Sequence, residues 1–414
     1  MDKQESGLSS YCSMSKLLAG VGTLAGLVLS AGGFLGAVVY FALALKGSET
    51  TSSLGVVTVI ASLATAGLGV GGLMVRHGLR AWRGEPDAHF CPPRVKVLAL
   101  LFVGAVVGGQ AVLSSGFALR FFFPPLHVLA GALPAVTVLA FVGRKLGRAA
   151  RQREIVSLVV GGILIGGPGA VVLVGLAGLT LVVVLVVTVA MTPGGVDALQ
   201  SLMFNLQNPA WLGDPDGLLS LLFTPVGLVG VFLLAVVISP LIEELLKPAG
   251  VLFMRHTPGQ AQAFLWGLAG AAGFALVEGM FNSAVELDAW QPVVLMRVGT
   301  SLMHCLAGGL MGLGWYSLRT GRLWRAAGLY LLAVSLHGTW NAIALGITVF
   351  SFESPGPGGN AANVGIWLLL GTLGLLIVVC IVALAVLVRW LQTTLPGEMI
   401  TVFTESDATE LDRE

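Results

Sequence analysis

The chain has 414 residues, 56% of them hydrophobic and 10% charged, with a formal net charge of +1 and a mean hydropathy of +0.92. That balance is too apolar for a water-soluble fold of this length and offers no basic patch for nucleic acid, so the bilayer is the first partner to consider. The expected fold is all-α, a polytopic bundle of membrane-spanning helices.

Residues 1–16 form a polar N-terminal tail, predicted to be cytoplasmic. The apolar run after it is too long for a signal-peptide core and is read as the first span. Runs able to cross about 30 Å of hydrocarbon occur at 17–45, 53–75, 97–119, 126–142 and 155–191, then at 218–254, 263–285, 293–318, 326–350 and 364–390. The fifth holds Gly166-Gly167-Pro168-Gly169 and could be one kinked span or two. Basic loops at 76–96, 144–153, 255–256 and 319–325 share one side only if it is one, which gives ten spans and two cytoplasmic termini. The predicted division is then a five-span membrane module (17–192), an extracytoplasmic loop (193–217), a four-span core (218–350), a last span (351–391) and an acidic cytoplasmic tail (392–414). The tail has the composition of a segment without fixed structure. Cys12, Cys91, Cys305 and Cys380 lie far apart with no CxxC, which argues against a disulfide framework or a zinc knuckle.

Spans one to five and span ten hold no Asp, Glu, Lys or Arg well inside the hydrocarbon, whereas spans six to nine hold Glu243, Glu244, Lys247, Glu278, Arg297, His304 and His337. An ionisable residue at the midplane costs about 2.5–3.5 kcal/mol, so this concentration marks a site. At about 1.5 Å of rise per residue, Glu243 and Glu244 lie about 15–17 Å from the cytoplasmic ends of their spans, Glu278 about 22 Å, His304 about 21 Å and His337 about 17 Å. Acids and imidazoles from four helices should meet in one layer.

Glu243 and Glu244 stand four and three residues before Lys247, which can neutralise either. The two acids point about 100° apart and need not share a task. Pro240 and Pro248 each remove a hydrogen bond and crowd the carbonyl four residues back, predicting a distorted helix around the motif. Phe274 and Glu278, and His337 and Asn341, are i,i+4 pairs on single faces, and Arg297 stands two turns before His304. A histidine and an amide on one face can hold an oxyanion, or the histidines can bind a metal. The structural alternatives are ion pairs of the acids with Lys247, Arg297 or Arg255, a Glu278–Arg297 pair, and Asn341 as interhelical glue. Cys305 points away from His304 and reads as packing.

Glu243-Glu244-x-x-Lys247, Phe274-x-x-x-Glu278, His304 after Arg297, and His337-x-x-x-Asn341, in this order on successive spans, resemble the PrsW family of bacterial intramembrane proteases, distantly related to the CAAX prenyl endopeptidases. The resemblance covers roughly residues 218–350. Gly279 departs from it, since Asn is frequent there, and Asn282 is the candidate substitute. The resemblance implies an endopeptidase of the bacterial plasma membrane that hydrolyses a membrane-associated protein, with anti-sigma-type regulators as the best-known targets. Catalysis would fall to Glu243, Glu244, His304, His337, Asn341 and Glu278, supported by Lys247, Arg297 and Phe274. A zinc version would use His304, His337 and either Glu244 or Glu278. The rivals are a proton- or ion-coupled transporter, which should show inverted repeats, and a noncatalytic scaffold or immunity protein.

Overall fold

A computed structural model describes residues 2–46, 51–212, 221–254, 258–285, 287, 289–352 and 360–395. Among these, ten helices are long and apolar enough to span a membrane: Ala19–Lys46, Leu54–Trp82, Val95–Ser115, Leu119–Ala149, Gln152–Ala190, Pro225–Leu252, Gln260–Ala284, Trp290–Arg319, Leu323–Ser351 and Val364–Gln392. The predicted count and all-α class are both found, and the fifth apolar run is one continuous span. The sixth span starts at Pro225 because Thr224 caps it: its hydroxyl accepts from the Gly227 amide at 3.0 Å, and proline suits a first helical turn. The predicted loop at 193–217 contains a helix, Gly195–Leu206. The acidic tail from 396 onward, residues 213–220, and Arg255 with His256 lie outside the described residues.

The basic loops at 76–96, 144–153 and 319–325 come together at one end of the bundle. Arg151 and Arg153 donate to the Asp87 carbonyl (3.0 Å) and the Glu85 carbonyl (2.7 Å), tying the loop after the second span to the start of the fifth. Gln262 and Trp266 donate to Glu154 at 3.1 and 3.2 Å, which brings the start of the seventh span to the same end. Arg319 donates to the carbonyls of Val251 and Met254, adding the ends of the sixth and eighth spans. The opposite end is marked by the Tyr40 hydroxyl, which donates to the Arg120 and Phe121 carbonyls at 3.0 Å.

The seventh and eighth spans form the buried centre. Glycines let their backbones touch: a Cβ on Gly267 would strike Gly308 and Gly312, and one on Gly308 would strike Ala271. The fourth span packs on the other face of the seventh through Gly131, whose backbone lies against Gly279 and Met280. There His127 accepts from the Trp290 indole at 2.9 Å and donates to the Met280 carbonyl at 2.7 Å. These interior contacts hold the centre to the N-terminal module.

Two spans carry a π-helical turn. In the fifth it covers Gly162–Gly166, just before Pro168, and in the sixth Leu233–Ile238, just before Pro240. Each proline lacks the N–H for the carbonyl four residues earlier, and the chain accommodates it by widening one turn. After Pro248 the sixth span tightens into a 3₁₀ segment, Ala249–Phe253. The distortion expected from the two prolines thus brackets the eight-residue helix Ser239–Leu246 that carries both glutamates.

Candidate active site

The side chains of the sixth to ninth spans converge on the amine of Lys247. Its Nζ donates to Glu244 Oε1 at 2.6 Å and to His304 Nδ1 at 2.8 Å, with His337 Nδ1 at 3.3 Å and Glu243 Oε2 at 3.3 Å. The Phe274 ring faces the amine, 4.6 Å from Nζ to its centroid, and meets His304 edge-on at 5.5 Å. Lys247 and Glu244 are fully buried. A buried charge survives when it is paired and hydrogen-bonded, and Lys247 is paired on every side that matters.

The partners determine the histidine tautomers, because a carboxylate accepts and cannot donate. His304 Nε2 donates to Glu278 Oε2 at 2.7 Å, so its Nδ1 is the bare nitrogen facing Lys247. His337 Nδ1 donates to Glu244 Oε1 at 2.8 Å, and its Nε2 accepts from Asn341 at 3.3 Å. The two rings stand nearly perpendicular, 4.8 Å apart. Glu278 Oε1 also accepts from Arg297 at 3.1 Å and from Asn282 at 3.0 Å. The proposed substitute Asn282 does reach Glu278, and the departure at position 279 has a cause: a Cβ there would stand 2.6 Å from the Gly131 carbonyl.

The neighbouring glutamates differ in exposure. The Glu244 side chain is 0% exposed and that of Glu243 16%. Glu243 Oε1 accepts a short bond from the Ser239 hydroxyl, and its Oε2 lies 3.9 Å from His337 Nε2. Ser239 was not picked out from the sequence, although it stands one turn before Glu243. Nor were the Tyr330 hydroxyl, which donates to the Leu241 carbonyl at 2.8 Å, and Ala235, whose carbonyl accepts from Asn341 at 2.8 Å. Both anchor the ninth span to the sixth at carbonyls near the π turn. Cys305 is a buried free thiol outside this network.

Glu244, His304 and His337 each present a ligand atom within 4.8 Å of the others, a His₂Glu set of the type zinc uses, and Glu244 Oε2 is buried without a partner. Glu278 does not share the position, because it binds the far nitrogen of His304. The arrangement nevertheless conflicts with an ion. Zinc about 2.1 Å from Glu244 Oε1 would lie within about 5 Å of Nζ, and a divalent ion 4 Å from an ammonium is repelled by about 8 kcal/mol at an effective dielectric near 20. As arranged, the residues do not fit a metal, for the amine stands in its place.

Buried acids, imidazoles and an amine shared by four spans define a polytopic membrane protein with an enzyme-like interior. The sequence matches the family model described as PrsW family intramembrane metalloprotease over residues 168–384, more than half of the chain. The chain belongs to this family, and with it to the intramembrane proteases. The match begins at Pro168 and runs into the tenth span, so it takes in more than the four motif-bearing helices. No curated protein and no solved structure matches the chain.

Proposed function

We propose that this protein is an endopeptidase that hydrolyses a peptide bond of a membrane-associated protein at the Glu243–Lys247–His304–His337 cluster. Peptide hydrolysis needs a base for water, charge to meet the oxyanion and a proton for the leaving nitrogen. Glu243 is the base: it is the carboxylate at the accessible rim, and the 3.9 Å between its Oε2 and His337 Nε2 is a separation that one substrate water can bridge. Its carboxylate takes one proton as the water oxygen bonds to the carbonyl carbon. Lys247 supplies the positive charge that meets the negative charge developing on the carbonyl oxygen; His337, whose Nδ1 proton is committed to Glu244 and whose Nε2 is bare, has no proton for it, and Asn341 fixes the ring. The C–N bond then breaks as Glu243-COOH returns its proton to the nitrogen.

Glu244 does not act on water in this scheme. It holds Lys247 and His337 in place, while Glu278, pinned by Arg297 and Asn282, orients His304. The basic end of the bundle faces the cytoplasm of a bacterial cell, following the charge rule for membrane loops. The substrate is a membrane protein or membrane-proximal peptide, an anti-sigma-type regulator being the target the resemblance suggests. One observation carries the reading: a single buried amine meets side chains from the sixth to the ninth spans directly beside a partly exposed carboxylate. The test is to incubate purified wild type and Glu243→Gln with a membrane proteome and map new termini. Termini generated by wild type and missing with Glu243→Gln support it, and identical termini with both proteins defeat it.

A further inference from the structure

The family description names a metalloprotease, yet the place for an ion is filled by a side chain. We propose that Lys247 is the resident cation of this site: its ammonium occupies a latent His₂Glu metal position formed by Glu244, His304 and His337, and thereby keeps zinc out of the native protein. Nζ lies 2.6, 2.8 and 3.3 Å from the three atoms; it donates to Glu244 and His304 and stands beside His337 Nδ1, whose proton goes to Glu244, so one nitrogen fills the space an ion at their centre would take. The surroundings are built for a cation as well. Glu278 accepts the Nε2 proton of His304 and turns the bare Nδ1 inward, the same orientation a carboxylate gives a metal-binding histidine from behind. The Phe274 face adds its negative quadrupole on another side.

An ammonium and zinc are not equivalent occupants. Lys247 is tethered three residues from Glu244, donates hydrogen bonds with fixed length, and cannot be lost to a chelator. Zinc would require Nδ1 of His337 to give up its proton, and hence a change of tautomer. Lysine occupancy therefore keeps His337 donating to Glu244, and both carboxylates of the pair compensated, with no ion supplied from solution. The assignment stands on geometry and metal chemistry and does not depend on proteolysis, so it is tested without activity.

Wild type, Lys247→Ala, Lys247→Met and Lys247→Ala/His304→Ala are purified in detergent without metal, incubated with zinc chloride, desalted and analysed for bound zinc and melting temperature. The expected result is no stoichiometric zinc in wild type, about one zinc per chain in Lys247→Ala with a raised melting temperature, and loss of both in the double variant. Lys247→Met, which fills the space without charge, should remain zinc-free. Wild type that retains one zinc lost on His304→Ala substitution overturns the proposal, as does a folded Lys247→Ala that takes up none. Should Lys247→Ala fail to fold without metal, recovery of folded protein from zinc-supplemented growth supports the proposal. Failure under both conditions leaves the decision to wild-type zinc content, which reads either way.

Discussion

Glu243 and Glu244 share a helix and a charge but differ in surroundings, and in the proposed mechanism they have different roles. Replacing Glu243 with Gln removes the proposed proton acceptor and weakens its contacts with Ser239 and Lys247, while Glu244 still neutralises the amine, so cleavage should fall by at least about 10²-fold with little change in melting temperature. A transporter would retain its flux under the same substitution unless Glu243 also carried the proton, and a scaffold would show no cleavage to lose. Lys247 behaves differently. Lys247→Met strands the buried carboxylate of Glu244 and should cost about 3–5 kcal/mol in metal-free protein. Adding Glu244→Gln to Lys247→Met removes the stranded charge and should restore most of that loss, measured by thermal unfolding in the same detergent.

The sixth span is not a regular helix, and the proposed mechanism depends on that. Its π turn at Leu233–Ile238 exposes carbonyls of which Ala235 is bound by Asn341, while the Leu241 carbonyl is bound by Tyr330. Pro240→Ala would give the chain back an N–H and favour a regular turn, rotating Glu243 and Glu244 by about one residue, roughly 100°. Cleavage should be lost while the protein still assembles in the membrane, which quantitative blotting beside a cleavage assay would read. If Pro240→Ala cleaves like wild type, the π turn is not what aims the glutamates. The seventh and eighth spans depend on contact between backbones, and Gly312→Val should destabilise by about 1–3 kcal/mol or more, seen as a lower melting temperature.

At the scale of the molecule, the described basic loops gather at one end and the polar cluster lies inside, enclosed by apolar helices. The N-terminal spans hold no part of the cluster, but they clamp its centre, through Gly131 against Gly279 and His127 against Trp290. Gly279→Asn, although it matches the residue frequent in the resembling family, should therefore push the fourth span away and lower stability rather than improve activity. Orientation can be read independently. A single cysteine near Arg148 should be shielded from a membrane-impermeant thiol reagent in intact spheroplasts, and one near Ser201 should be labelled; the reverse pattern would invert the topology proposed here.

Hydropathy and charge alone determine that this is a ten-span helical protein, because a bilayer demands about twenty apolar residues per crossing and tolerates few charges. The i,i+3 and i,i+4 spacings likewise determine the Lys247 pairing with both acids and the Glu278–Asn282 contact, since one turn of helix settles which side chains are neighbours. Which helix face looks inward was not legible, because it depends on the packing partner and on the extra residue in each π turn. Only the tertiary structure decided that Glu244 is sealed and Glu243 partly open, that Glu278 binds His304 from behind, and that Lys247 stands between Glu244 and the two histidines. Those are relations between helices 26 to 93 residues apart in the chain, and no local pattern encodes such distances.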